Sequence, residues 1–366
     1  MSPPLSRTGE WFLRSGIQES NGGTARYYRT DVCRNAPVST EITGYTVSVF
    51  VYLHSVSLHS ASAHSVSADP RYLECALAAA HFLTRTAWDP KARIMPFEIA
   101  PNAFAYFFDC GIVVRGLLAA WRATGEQEFL DVAVSIGDSM RRDFASGRGD
   151  FHPILSLPEK HPAARDPLRW SRSATCYQLK SAMAWWDLFE ATQEARFTEP
   201  YERVLEASLG TWANFLPGHP DPHIVMDRLH AFGYFLEGLL PRASDSSCAA
   251  ALRDGIARAA HHLRDIAGEF ARSDVYAQLL RIRLYADWMG IVPLDLPAAT
   301  CEAEALAAFQ VSSVDPRIDG GYWFGRKGAE WLPFVNPVSA AFAAQALELW
   351  EANRRGCAQP HRHLLI

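Results

Sequence analysis

No two cysteines of this 366-residue chain stand in a CxxC pair. The seven present (Cys33, Cys75, Cys110, Cys176, Cys248, Cys301 and Cys357) are odd in number and scattered. That spacing argues against a structural zinc and for a reducing, cytoplasmic setting. Lysine and arginine form no tract and the net charge is −5, so no nucleic-acid partner is expected. No apolar run is long enough to span a bilayer. The opening "MSPPLSRTGEWFLRSG" also lacks the apolar core of a secretory signal, so neither a membrane partner nor export is expected. Strand signals are scarce. His54, His59 and His64 lie in a Ser/His-rich stretch, 54–70, that reads as a flexible loop. Their spacing puts them on no common helical face, so no metal site is assigned there, and nothing else calls for a cofactor.

What the chain has is apolar and aromatic. Apolar residues make up 49% against 20% charged, a globular balance that excludes disorder. Eleven Trp, twelve Tyr and twenty Phe are enough both to fill a large core and to line a pocket. Helical periodicity dominates, and two kinds of helix alternate. Amphipathic segments fall at about 7–18, 70–85, 126–143, 199–214, 246–265 and 300–311, each with one apolar stripe. Segments apolar nearly all round fall at about 41–53, 109–122, 175–191, 227–240, 274–288 and 336–350. The second kind must be surrounded by protein. Six wet-faced helices alternating with six buried ones predict an all-α fold, an (α/α)6 barrel of six helical hairpins in one domain over 1–366. An open solenoid would need polar capping repeats, and none is visible.

Each buried helix opens on polar residues: Glu41 and Thr43, Asp109, Tyr177 with Gln178 and Lys180, Asp227 with His230, Arg272 with Asp274, and Asn336. In a ring of hairpins these helices run parallel. Their N-termini then share one end, with unsatisfied N–H groups and partial positive charge. Such a bowl suits a polar ligand, an anionic one included. Aromatic loops overhanging it offer flat faces to a sugar ring. The expected partner is therefore a mono- or oligosaccharide. Catalytic roles are assigned to Glu41, Asp109, His230 and Asp274. Substrate contacts are assigned to Tyr45, Trp88, Phe108, Arg115, Tyr177, Arg272, Gln278, Trp323, Phe324 and Asn336. Asp109 and Asp274 also suit simple helix caps. Arg115, inside a buried helix, needs a carboxylate, and Asp109 or Glu41 could supply it. Glu237 and Arg281 raise the same requirement and suit internal struts.

Several stretches resemble bacterial α/α-toroid proteins, a six-hairpin glycosidase-like family of glycan metabolism. "EITGY" resembles that family's "ETTGY" opening, and "YFFDCGIVVRGLLAAWRATGEQEFLDVA" its "FDTGQ…GL…TGDEKYLEAA" pattern. "HAFGYFLEGLL" resembles its "HTIAYTIEGLL" helix. "RSDVYAQLLRIRLY" and "GGYWFGRKGAEWLPFVNPVSAAFAAQAL" resemble its last two repeats. The resemblance implies a fold similar to unsaturated glucuronyl hydrolases and N-acylglucosamine 2-epimerases. The chain departs from the pattern at "FDCGI", where Cys110 and Ile112 replace a threonine and a glutamine. The 2-epimerase fold uses two pocket histidines. Here only His230 sits in a helix mouth, while His219 and His223 lie on the "LPGHPDPH" loop. Terpenoid cyclases share the architecture, but their DxDD motif is absent.

Three functions follow as expectations. Glu41 and Asp109 across a sugar would hydrolyse a glycoside as acid and base. His230 as base, with Tyr177 or Tyr45 as acid, would epimerise a sugar or eliminate from it. The same pocket without an acid/base pair in reach would only bind a glycan, as a scaffold of polysaccharide assembly.

Overall fold

A computed structural model describes residues 1–64, 69–101, 103–166, 169–357 and 361–366. Among these residues the chain forms twelve α-helices. In chain order they are α1 (Pro3–Arg14), α2 (Thr40–His64), α3 (Pro70–His81), α4 (Phe107–Thr124), α5 (Gln127–Asp143) and α6 (Gln178–Thr192). Then follow α7 (Thr198–Thr211), α8 (Pro222–Gly238), α9 (Ser246–Ile266), α10 (Ser273–Trp288), α11 (Leu296–Ala307) and α12 (Pro337–Arg354). Each even-numbered helix packs on the next, from α2 round to α12, and α12 returns to α2. Each odd-numbered helix lies outside against an even-numbered one, and α1 completes the wall against α12. The ring closes as expected, so no end is left for a capping repeat.

Side-chain pattern decides which helix goes inside. In α4 every residue from Phe107 to Ala120 is buried, whereas α5 buries only a stripe of Phe129, Ala133, Ile136, Gly137, Ser139 and Met140. Inner helices also need small residues where they cross. A Cβ on Gly111 of α4 would sit 2.5 Å from the carbonyl oxygen of Ser181 on α6, so only glycine fits that crossing. Asp69, Asp221, Asp295 and Asn336 cap α3, α8, α11 and α12 by accepting from backbone N–H groups, each with proline in the first turn.

Two expectations are corrected. The 54–70 stretch is not a loop throughout, because α2 continues to His64. Nothing from 54 to 69 is glycine or proline, and the alanines and Leu58 favour helix. Residues 65–68 and the side chains of His59 and His64 lie outside the described residues. The fourth inner helix starts at Pro222, not 227, because Asp221 and Pro222 form a cap inside a Pro-rich stretch. Asp227 and His230 therefore stand one and two turns into α8.

Three small antiparallel sheets lead into inner helices. Phe104–Tyr106 pairs with Ile154–Ser156 and runs straight into α4. Phe270–Arg272 pairs with Gly325–Lys327 and runs into α10. Phe334–Val335 pairs with Tyr28–Arg29 and precedes α12.

The barrel axis is filled in layers. Under the helix mouths, the Tyr45 hydroxyl donates to Tyr234 at 3.3 Å and the Tyr45 ring meets Phe342 edge-on. Deeper, Glu237 lies 2.8 Å from Lys180 and 2.5 Å from Arg281, all three fully buried. Residues 364–366 cover the far end. Arg281 and Lys180 each donate to the Ile366 carbonyl at 3.2 Å, and Gln345 donates to that of Leu364 at 2.7 Å. No helix of the described residues is long and apolar enough to cross a membrane.

Candidate active site

A cavity of about 250 Å³ opens where the inner helices begin. Glu41 lies in the first turn of α2, Asp109 in that of α4, and Tyr177 just before α6. His230 and Tyr234 reach it from one face of α8, being four residues apart. Phe97, Tyr106 and Phe108 form one wall, and Trp170 and Ser171 another.

Among the described residues, neither the Glu41 nor the Asp109 carboxylate pairs with an arginine, lysine or histidine, and Asp109 Oδ2 has no hydrogen-bond partner. Burial pushes the Glu41 carboxyl up to about 7. Glu41 keeps partial contact with the cavity, but protein surrounds it. Asp109 rises well above the usual carboxylate range, first from burial and then from the charge of Glu41. Burial and the charge of one carboxyl on the other thus both favour the protonated forms.

His230 is oriented from behind. Its Nδ1 lies 2.8 Å from Gln278 Oε1 and 3.4 Å from Asp274 Oδ2. Burial pushes Asp274 up, but Arg272 and then His230 outweigh it, and its carboxylate stays ionised. Two acceptors at Nδ1 put the proton there and leave the Nε2 lone pair for the cavity that His230 lines. Burial also lowers the His230 pKa, with Asp274 opposing, so the ring stays neutral. Arg272 grips Asp274 with Nε at 3.0 Å and Nη2 at 2.6 Å, and its guanidinium lies over the Phe324 ring at 4.5 Å.

The structure brings Glu41, Asp109, Phe108, Tyr177 and His230 to one cavity. Tyr45 lies one layer below, and Arg272, Asp274 and Gln278 stand behind His230. Asp274, expected to be catalytic, is buried in its ion pair and does not line the cavity. Arg115 is corrected more fully. It points away from Glu41 and Asp109 and lies 2.8 Å from Asp187, a buried α6 residue also held by Arg362. Trp88, Trp323, Phe324 and Asn336 do not line the cavity either. Trp88 packs on the core, Trp323 stacks on Trp331, Phe324 carries Arg272, and Asn336 caps α12. Tyr234 carries no assigned role, whereas Trp170, with Phe97 and Tyr106, belongs to the loop aromatics expected to overhang this end, and all three line the cavity. Tyr234 was detectable from its four-residue spacing to His230, while Trp170 is placed by a loop with no periodicity to read.

The sequence matches no family model and no curated protein. Solved structures do match. A cellobiose 2-epimerase from Spirochaeta thermophila is 15% identical with a TM-score of 0.70, over 96% of this chain and 97% of that one. The chain is a six-hairpin α/α toroid. A D-mannose isomerase shares the fold at 10% identity and a TM-score of 0.69, covering 94% of the toroid and 96% of its own chain. A family 76 glycoside hydrolase from a bovine Bacteroides thetaiotaomicron strain is 12% identical with a TM-score of 0.60, over 96% of the toroid and 78% of its own chain. At these identities the likeness is one of fold.

Proposed function

We propose that the toroid is a cytoplasmic carbohydrate-active enzyme, a glycoside hydrolase whose acid and base are Glu41 and Asp109. One observation carries this reading: Asp109 is buried and Glu41 half-buried at one cavity, and among the described residues neither has a cation to neutralise it. Structural acids are seldom buried without such a partner, whereas catalytic ones are held that way to shift their pKa. In the reaction the protonated member gives its proton to the leaving glycosidic oxygen. The ionised member then takes a proton from the attacking water or attacks the anomeric carbon itself. Phe97, Tyr106 and Trp170 would pack on the sugar ring. Arg26, whose guanidinium lies over Phe97 at 5.3 Å, supports a sugar bearing a carboxylate. All seven cysteines are free, as a reducing compartment requires.

His230 supports a second reading, sugar epimerisation. Its Nε2 lone pair could remove a carbon-bound proton beside a carbonyl, with protonated Glu41 or Tyr177 returning one. A panel of unsaturated uronides, aryl glycosides and N-acyl sugars, incubated in deuterated water, separates these readings. Release of reducing sugar supports hydrolysis, and deuterium appearing at a sugar carbon without cleavage supports epimerisation. Saturable binding with neither product would leave a glycan-binding protein and sink both.

A further inference from the structure

Asp227 belongs to none of the roles above, yet it joins two parts of the site. Its Oδ2 accepts from the indole Nε1 of Trp170 at 2.5 Å, and its Oδ1 accepts from Arg272 Nη1 at 2.6 Å. Arg272 in turn holds Asp274, the carboxylate beside His230 Nδ1. Asp227 and His230 are three residues apart on α8 and so share a face. The Asp227 side chain is 50% exposed, while those of Arg272 and Asp274 are 6% and 4% exposed. A half-exposed carboxylate thus ties a buried ion pair to a cavity wall. That wall belongs to a loop that carries one short turn, Trp170–Arg172, among its described residues. Trp170 also lies edge-on to Tyr177 at 4.9 Å and to His230 at 6.5 Å, the Tyr177 hydroxyl donates to the Ser171 carbonyl at 3.3 Å, and farther back along the loop Arg165 pairs with Asp150.

We propose that Asp227 is a positioning residue that locks the Trp170 wall and the His230–Asp274 pair into one unit, so a sugar packing on Trp170 also sets the His230 imidazole. The lock deepens the sugar-site reading and rests on it. Exposed ion pairs contribute little by themselves. Asp227 differs because its two oxygens serve two partners from separate segments, fixing a distance that neither segment fixes alone. Glutamate would move that junction by a methylene, and asparagine would keep the indole bond but lose the charge facing Arg272.

The test is nuclear magnetic resonance of the full chain with nitrogen-15 labelling and no sugar present. Failure of the lock is therefore read apart from failure of the sugar reading. Trp170→Phe assigns the indole signal, and His230→Gln assigns the imidazole nitrogens. The unaltered chain should show a protected Trp170 indole proton. Asp227→Ala should speed its exchange roughly tenfold or more and shift the His230 nitrogens. Trp185, which donates to the Gly137 carbonyl at 2.9 Å, should be unmoved. Asp227→Asn should restore indole protection while leaving the His230 shift displaced, and it serves equally if the alanine variant does not fold. A Trp170 proton as labile as a free indole in the unaltered chain overturns the proposal. So do His230 nitrogens that stay put when Trp170 is released.

Discussion

Asp109 and Glu237 are both buried acids, and their surroundings make opposite predictions. Among the described residues the charged group acting on Asp109 is another carboxyl, so its charge is a burden that the fold carries. Asp109→Asn should leave the melting temperature unchanged or raise it, while lowering turnover by roughly 10²–10⁴-fold. A variant that melts early and still turns over would return Asp109 to a structural role. Glu41 adds a pH dependence. Its folded-state pKa of about 7 lies above the ordinary 4.5, so folding favours its protonated form. The stability it contributes is full below about 4.5 and is lost as pH rises through about 7. Melting temperatures measured across that window should decline less in Glu41→Gln than in the unaltered chain. Equal slopes would show that Glu41 titrates normally.

At the scale of helices, crossings matter more than caps. Gly111→Ala puts a methyl group against the Ser181 backbone, where no rotamer change can relieve it. Denaturant unfolding should show a loss of about 1–3 kcal/mol, the usual range for overpacking. Wild-type stability would mean that α4 and α6 can slide apart. Inner and outer helices were legible in the sequence because burial on all sides and burial on one side leave different spacings. The three sheets were not, since strands of two or three residues are too short to alternate. The start of α8 was missed because Asp221 and Pro222 sit among prolines that read as loop. The partner of Arg115 was missed for another reason. Asp187 lies in the apolar run "AWWDLFE", and only the closed ring shows which helices face each other. Glu41 and Asp109 were readable because each stands in the first turn of its helix, where the polar-to-apolar switch is sharp, whereas His230 was read as a helix mouth although it stands two turns into α8. Trp170 depends on a loop path that no local pattern encodes.

For the whole molecule, the axis is the strongest constraint. Glu237 neutralises two cations that reach it from different helices, Lys180 on α6 and Arg281 on α10. Burial already pulls Lys180 down to about 7, against the pull of Glu237. Glu237→Gln would strand both cations in the interior and should cost about 3–5 kcal/mol, read from denaturant unfolding. A cost below about 1 kcal/mol would mean that water reaches this layer.

The tyrosine layer, the ion layer below it and the tail across the far side together make the central bowl a cul-de-sac. No polymer could thread through it and emerge opposite. Whatever enters beside Glu41 must leave by the same mouth.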